Sequence, residues 1–335
     1  MDSLRNVLQA YRIEPLKVDR ISEKLYCIYD GKQFFALKKS MMTLEQIKSW
    51  EAVYHRAYSQ NLSGILSVYL TANGNLYEEA DGEYYYLTPW IHQEKRNQKQ
   101  EFEIIFKTIG AIHAKTKKAV SYDAEKVKDQ FNQYRDHCLN IKSSLLMYVE
   151  EFEKNRYMSP FELLVCTQYR ELEFFINEQN RWIENFRDEL DEQSDWNISL
   201  CHGQLKSSHV LHSHTAYIIN WDRAYYDNSV IDLSNFLRDQ VKYYDQPNEL
   251  LIDSLSVYFN ENKLSNHELY LLSIYLFDPS DYIRVVKHYR DKTSDASMVQ
   301  QICQLQHAYR QLVFAMKWSE QVDALTESLI DESES

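Results

Sequence analysis

Cys201-His202-Gly203-Gln204-Leu205-Lys206-Ser207-Ser208-His209-Val210-Leu211, continued by Ile218-Ile219-Asn220-Trp221-Asp222-Arg223, is the stretch on which the reading of this 335-residue chain turns. A His-Gly pair opens a polar loop, the loop runs into an apolar pair, and a second apolar pair at 218–219 leads to Asn220. This pattern reads as a loop followed by a short hairpin over 201–222. Three polar side chains punctuate it: Gln204 beside the glycine, His209 five residues on, and Asn220 after the second strand. None of the three is an acid, and the first carboxylate comes only with Asp222.

The rest of the chain supplies matching pieces in a fixed order. Phe35-Ala36-Leu37-Lys38 is a strand ending in lysine, and Tyr86-Leu87-Thr88-Pro89-Trp90-Ile91 is an extended, hinge-like segment. Gly110-Ala111-Ile112-His113 is a helical Gly-x-x-His, and Val230-Ile231-Asp232-Leu233 carries an acid into a helix. With His202-Gly203, these residues resemble the aminoglycoside phosphotransferase and choline kinase superfamily. There, His-Gly-Asp-x4-Asn-Val-Leu is followed by Ile-Asp-Trp/Phe and a later Asp before a helix. Within that superfamily the chain is similar to the CotS-type spore coat kinase-like proteins of endospore-forming bacteria, in the branch called YutH.

The resemblance covers most of the chain and implies an α+β, two-lobed protein-kinase-like fold. A small sheet-plus-helix N-lobe would span 1–90 and a large, mainly helical C-lobe 91–325, with an acidic tail at 326–335. It implies structural roles for His202, Gly203 and Asp232, the last bracing the catalytic-loop backbone. Lys38, Glu51 and Asp222 would be vestiges of a nucleotide site, with Glu45 competing with Glu51 to orient Lys38.

An active loop of this type needs a carboxylate to accept the substrate proton, an amide five residues on to hold Mg²⁺, and a second carboxylate to hold Mg²⁺ against the phosphates. Those places read Gln204, His209 and Asn220. An amide has no useful proton affinity at neutral pH, and its loss as general base costs roughly two to four decades of rate. Mg²⁺ prefers hard oxygen ligands, whereas His209 offers nitrogen and Asn220 one neutral oxygen. The first lobe is also poor in the glycines that let a turn approach phosphates, with none from Arg12 to Asp30. The expectation is therefore a pseudokinase with no catalytic residue, metal or cofactor. It would be made in the cytoplasm and built into the spore coat as a component or assembly partner, with coat proteins as its partners. The alternative is a small-molecule phosphotransferase, using ATP and Mg²⁺, in which Asp222 or Asp227 replaces the lost ligands. Asp222 lies two residues past Asn220 and on a strand would share its face.

A net charge of -13 disfavours binding to nucleic acid or anionic membranes. No apolar run approaches the eighteen residues of a membrane span, and Met1 to Leu16 lacks the apolar core of a signal peptide. Membrane insertion is not expected, and the chain should stay where it is made. The five cysteines are widely spaced and read as reduced thiols. Cys201 has no oriented base beyond His202, and His209, His212 and His214 lack a completing ligand for zinc. Lys115-Thr116-Lys117-Lys118 reads as a helix C-terminus complementing the dipole.

Only six Gly and five Pro favour long helices. Turns at Asp30-Gly31, Asn73-Gly74 and Asp81-Gly82 predict hairpins over 12–39 and 64–92. Thr43 and Gln46 predict a helix start, as do Ser159-Pro160 with Glu162, and Ser265 with Glu268. Helices over 121–155 and 160–192 should pair antiparallel, and a last helix should run from near Ser294 to about Leu325. The 26 tyrosines, among them Tyr84-Tyr85-Tyr86, Tyr225-Tyr226 and Tyr243-Tyr244, suit half-buried surfaces, and in a coat they would be available for cross-linking.

Overall fold

Leu25-Tyr26-Cys27-Ile28-Tyr29 and Phe34-Phe35-Ala36-Leu37 are short apolar runs rich in aromatic side chains on either side of the Asp30-Gly31 turn, a pattern that favours paired strands. In the computed structural model a first helix, α1 (Asp2–Ala10), precedes three strands, β1 (Lys17–Arg20), β2 (Leu25–Tyr29) and β3 (Phe34–Ser40). Helix α2 (Leu44–Gln60) and strands β4 (Glu78–Ala80) and β5 (Glu83–Pro89) follow. Then come α3 (Gln98–Thr116), β6 (Lys118–Ser121), α4 (Ala124–Glu153), α5 (Pro160–Leu190) and β7 (Asp195–Cys201). Strands β8 (Val210–His212), β9 (Ala216–Ile218) and β10 (Tyr225–Asp227) precede five final helices. These are α6 (Val230–Gln240), α7 (Asn248–Glu261), α8 (Asn266–Leu276), α9 (Ser280–Arg290) and α10 (Met298–Ser333). The structure describes residues 2–190, 195–242 and 248–333, with side chains from 3 to 324.

The chain forms two compact units. The first comprises residues up to Lys117, Ser199–Tyr226 and Val257–Asn262, so the loop of the deciding stretch is built with the small sheet. The second holds Lys118–Ile198, Asp227–Ser256 and Lys263 onward.

In the first unit the strands form an antiparallel sheet in the order β1-β2-β3-β5-β4. One face is apolar: Ile28, Phe35, Leu37, Tyr85 and Leu87 pack on Val7, Leu8 and Tyr11 at α1. The period of two sends Lys38 to the other face, opposite Tyr86 in the β3–β5 register. Lys39 turns away from it and pairs with Glu83 at 2.6 Å. Helix α2 starts where expected: Thr43 and Gln46 complete a capping box, and Asn61 in the left-handed conformation ends the helix.

The Asn73-Gly74 turn forms, but it joins no strands. Thr71 N–H donates across the turn to the Asn75 carbonyl at 2.8 Å, but the flanking amides bond elsewhere, Tyr69 to Leu87 at 2.8 Å and Ala72 to Ala10 at 2.7 Å, so the ladder does not extend. The hairpin expected over 64–92 therefore shrinks to β4–β5 around Asp81-Gly82. Tyr84, Tyr85 and Tyr86 are buried, and Tyr225 is exposed. Tyr243-Tyr244 lie outside the described residues.

The second unit is mainly helical. Ser159 and Glu162 cap each other reciprocally at 3.1 and 2.6 Å and start α5 at Pro160. Helices α4 and α5 then run as a pair, packed through Cys138, Ile141 and Ile176 and bridged by Lys142–Glu173 at 3.0 Å. Gln179, fully buried on α5, donates to Tyr134 and to the Ile274 carbonyl on α8. Ser265 and Glu268 form the expected capping box of α8. Helix α10 begins at Met298, later than Ser294, because Ser297 and Gln300 cap each other there. Its backbone stays helical to Ser333, so most of the acidic segment 326–335 continues the helix instead of fraying from Leu325. The side chains of that segment lie outside the described residues.

Candidate functional site

The loop after β7 is held by two histidines acting on one residue. Gln204 donates its backbone N–H to His202 Nδ1 at 3.2 Å, and its carbonyl accepts from His209 Nδ1 at 2.9 Å. Since His202 Nδ1 accepts, its Nε2 carries the proton and donates to the Ile219 carbonyl at 2.8 Å. His202 therefore ties the loop to the residue just before Asn220. The two rings stack with centroids 5.2 Å apart, and Trp221, fully buried, lies against His202 at 5.0 Å. Burial is the first cause that lowers the His209 pKa, aided by His202, so at neutral pH His209 is a neutral ring whose Nδ1–H braces the loop.

Gly203 is fixed by both conformation and space. Its φ is +78°, and a Cβ there would stand 2.3 Å from the Arg223 carbonyl oxygen and 3.0 Å from the Tyr225 ring. The loop and the 220–225 segment touch backbone to backbone, and only glycine permits that approach.

Asn220 sits in the left-handed region, φ 70° and ψ 48°, where asparagine is among the tolerated residues. Its side-chain oxygen accepts a hydrogen bond from the Lys38 ammonium across 182 residues of sequence. Lys38 also lies over the Tyr86 ring, 5.6 Å from its centroid. Behind Tyr86, Trp50 and Tyr54 of α2 complete an aromatic wall, with centroid spacings of 4.9 Å for Trp50–Tyr86 and 4.6 Å for Trp50–Tyr54. Burial lowers the Lys38 pKa to about 8, Lys24 adds to that effect, and Asp222 opposes it. Burial also raises the pKa of Tyr54 and of Tyr86, with the Asp222 charge contributing to each. Asp222 thus directs its field into the Lys38 cluster.

The structure brings together Lys38, Asn220, Asp222, His209, His202, Gly203 and Gln204 in the first unit. It does not bring Glu51 to Lys38. Neither Glu51 nor Glu45 forms an ion pair with that lysine among the described residues; Trp50 takes the inward position on α2. Asp232 belongs to the second unit, fully buried in the first turn of α6. Asp227 belongs there too, and its carboxylate accepts the Asn228 N–H at 2.7 Å. Cys201 is fully buried. His214 is exposed and meets Glu94 at 3.1 Å; among the described residues, His209, His212 and His214 form no group of three metal-ligating side chains. The inward aromatic pair Trp50 and Tyr54 was missed in the sequence, although their spacing of four within α2 marks one helix face.

The donor set is poor in oxygen ligands for Mg²⁺. Asn220 spends its oxygen on Lys38, His209 spends its Nδ1 proton on the loop, and among the described residues Asp222 is the carboxylate whose charge acts on Lys38. Mg²⁺ is ordinarily held by one or two carboxylates together with substrate phosphates, and among the described residues of this loop Asp222 is the carboxylate on offer.

No family model matches the chain, and no curated protein matches it in sequence. Solved structures do match. An aminoglycoside phosphotransferase from Alicyclobacillus acidocaldarius is similar at TM-score 0.71 and 17% identity, over 96% of each chain. The AMP-bound spectinomycin phosphotransferase APH(9)-Ia is similar at TM-score 0.59 and 13% identity, over 94% of this chain and 98% of that one. The chain has the kinase-like fold of aminoglycoside phosphotransferases. The amicoumacin kinase hAmiN, in complex with AMP-PNP, Ca²⁺ and Ami, adds a third likeness at TM-score 0.53 and 16% identity, over 92% of this chain and 91% of that one. The kinase-like α+β class read from the deciding stretch is thus the observed one.

Proposed function

We propose that the protein is a pseudokinase: a kinase-like fold that does not transfer phosphoryl groups and works through its surface, as a component or assembly partner of a spore coat. The observation that carries the first half is the bond from Lys38 to Asn220. In an active site of this fold the lysine serves the phosphates and the residue at 220 serves the metal; here each is the other's partner. Gln204, at the proton-accepting position, has no basicity to offer. The coat role rests on the resemblance to CotS-type proteins, which supports synthesis in the cytoplasm followed by incorporation beside other coat proteins. No cofactor belongs to this reading.

A second reading is favoured by the direction of the Asp222 field. In it, the chain is a small-molecule phosphotransferase, like its structural neighbours, with Asp222 carrying Mg²⁺ and ATP as cosubstrate. Release of phosphate from ATP, measured with Mg²⁺ and with Mn²⁺, separates the two. The pseudokinase gives none above the protein-free blank. Metal-dependent turnover that disappears in Asp222→Ala establishes the enzyme instead. For the coat role, mass spectrometry of purified spore coats should find the chain, and its presence only in the core fraction would remove that assignment.

A further inference from the structure

We propose that a groove in the first unit, between α3 and the β8–β9 turn, docks an extended acidic segment of a partner protein, one with two carboxylates four residues apart and an apolar side chain midway. The inference goes beyond the pseudokinase reading and gives its surface role a place. The groove holds a cavity of about 230 Å³, bordered by α3, by the β8–β9 turn and by residues 62–64 after α2. These walls are tied to one another. The Gly64 carbonyl accepts from Ile218 N–H at 2.7 Å, and Lys115 donates to the Asn61 carbonyl at 3.1 Å. At Gly64 a Cβ would stand 2.4 Å from Thr108 Cγ2, so glycine lets residues 62–64 rest directly on α3. The groove is therefore formed before any partner arrives, which lowers the cost of binding.

Its buried lining is apolar, with Leu62, Ile112 and Ala216, and its exposed lining carries Lys107, Lys115 and His214. No carboxylate lines it, in a chain whose acids outnumber its lysines and arginines by 50 to 37. Lys107 pairs with no acid among the described residues, and Glu94, which meets His214 at 3.1 Å, is also held by Arg96 at 3.2 Å. Lys107 and Lys115 stand eight residues apart on one helix, about 12 Å along its axis. An extended chain advances about 3.3 Å per residue and returns to the same face every second residue, so side chains i and i+4 lie about 13 Å apart with i+2 midway between them. Two carboxylates at that spacing meet both lysines. The side chain between them enters over Ala111, which is four residues from each lysine and small enough to leave room. Small-molecule pockets generally run to about 300–1,000 Å³, whereas this cavity suits a single side chain whose flanking charges are fixed outside it.

The test is fluorescence anisotropy of a labelled peptide, Glu-Thr-Leu-Thr-Glu between Gly-Ser flanks, titrated with the full chain at low and at raised salt. Expected is saturable binding that weakens with salt, falls roughly fivefold or more in Lys107→Glu, and is lost in Ala111→Phe, which fills the cavity. Lys107 is exposed, so its variant reports on binding without threatening the fold. A peptide with its second glutamate moved one residue closer should bind more weakly, because odd spacing turns that carboxylate to the other face, and so should one with serine in place of leucine. No binding, or binding indifferent to Lys107→Glu and to the carboxylate spacing, overturns the proposal. So does 4-methylpentanoate matching the peptide's affinity in competition, which would make the cavity a small-molecule site. Self-association of the chain that Lys107→Glu abolishes, seen by analytical ultracentrifugation without peptide, would make a second copy the occupant and overturn it as well. No nucleotide enters these measurements, so the proposal and the pseudokinase reading fail separately.

Discussion

Replacing Asn220 by aspartate should abolish the pH dependence that Lys38 lends to stability, and the size of the effect follows from the site. In the wild type, burial leaves Lys38 with a pKa of about 8, against an ordinary lysine value of about 10.4. Between those two pH values the unfolded chain holds a proton that the folded one has released. Stability therefore rises with pH across that window and is lowest below it, by up to about 3 kcal/mol from this group. Aspartate tolerates the left-handed backbone of residue 220 and places a carboxylate where Lys38 already donates. The lysine then keeps its proton through pH 10, and the rise vanishes. Unfolding free energies of both proteins by urea denaturation from pH 7 to 10 would show the variant's advantage shrinking by about 2 to 3 kcal/mol over that range. Buried tyrosines titrate alike in both proteins and cancel in the difference. Parallel curves would refute the reasoning, since they would mean that Lys38 does not feel residue 220.

Gly203→Ala should cost about 2 to 5 kcal/mol, from a left-handed alanine plus a Cβ 2.3 Å from the Arg223 carbonyl. Gly82→Ala, at φ +73° with open space around it, should cost only about 1 to 2 kcal/mol, and urea unfolding of the pair separates strain from collision. Thr43→Ala removes half of the α2 capping box and should lower stability by about 1 kcal/mol in the same assay. Restoring both acids, Gln204→Asp with Asn220→Asp, should give the ATP-induced thermal shift an Mg²⁺-dependent increment that the wild type lacks; an unchanged shift would mean that His209 alone keeps metal out.

Most of the fold was legible because its punctuation is local. The capping pairs Thr43/Gln46, Ser159/Glu162 and Ser265/Glu268 each fixed a helix start through groups three residues apart. Asp30-Gly31 and Asp81-Gly82 fixed two turns of the sheet in the same way. What failed depended on distant partners. Asn73-Gly74 looks like the other turns, but Ala10 and Leu87 claim its flanking backbone. Sequence spacing on α2 offers Glu45 and Glu51 as the orienting acid for Lys38, and neither pairs with it among the described residues. The partner instead came from residue 220, 182 positions away, and no local pattern encodes that pairing.

The loop is well braced without an acid at 204, 209 or 220, and the reason lies in which atoms hold it. His202 binds the Gln204 N–H and the Ile219 carbonyl, His209 binds the Gln204 carbonyl, and Gly203 meets the Arg223 carbonyl. At residues 204 and 219 the histidine bonds engage the backbone, so they are indifferent to the side chain at 204. At 209 an imidazole supplies the N–H that closes the loop, and what changes is the atom left over for a ligand. At 220 the side chain does matter, because a buried ammonium faces it; an amide oxygen satisfies one donor while adding no charge for a metal to share. The contacts made by His202, His209 and Gly203 therefore hold this loop whether or not the side chain at 204 is an acid.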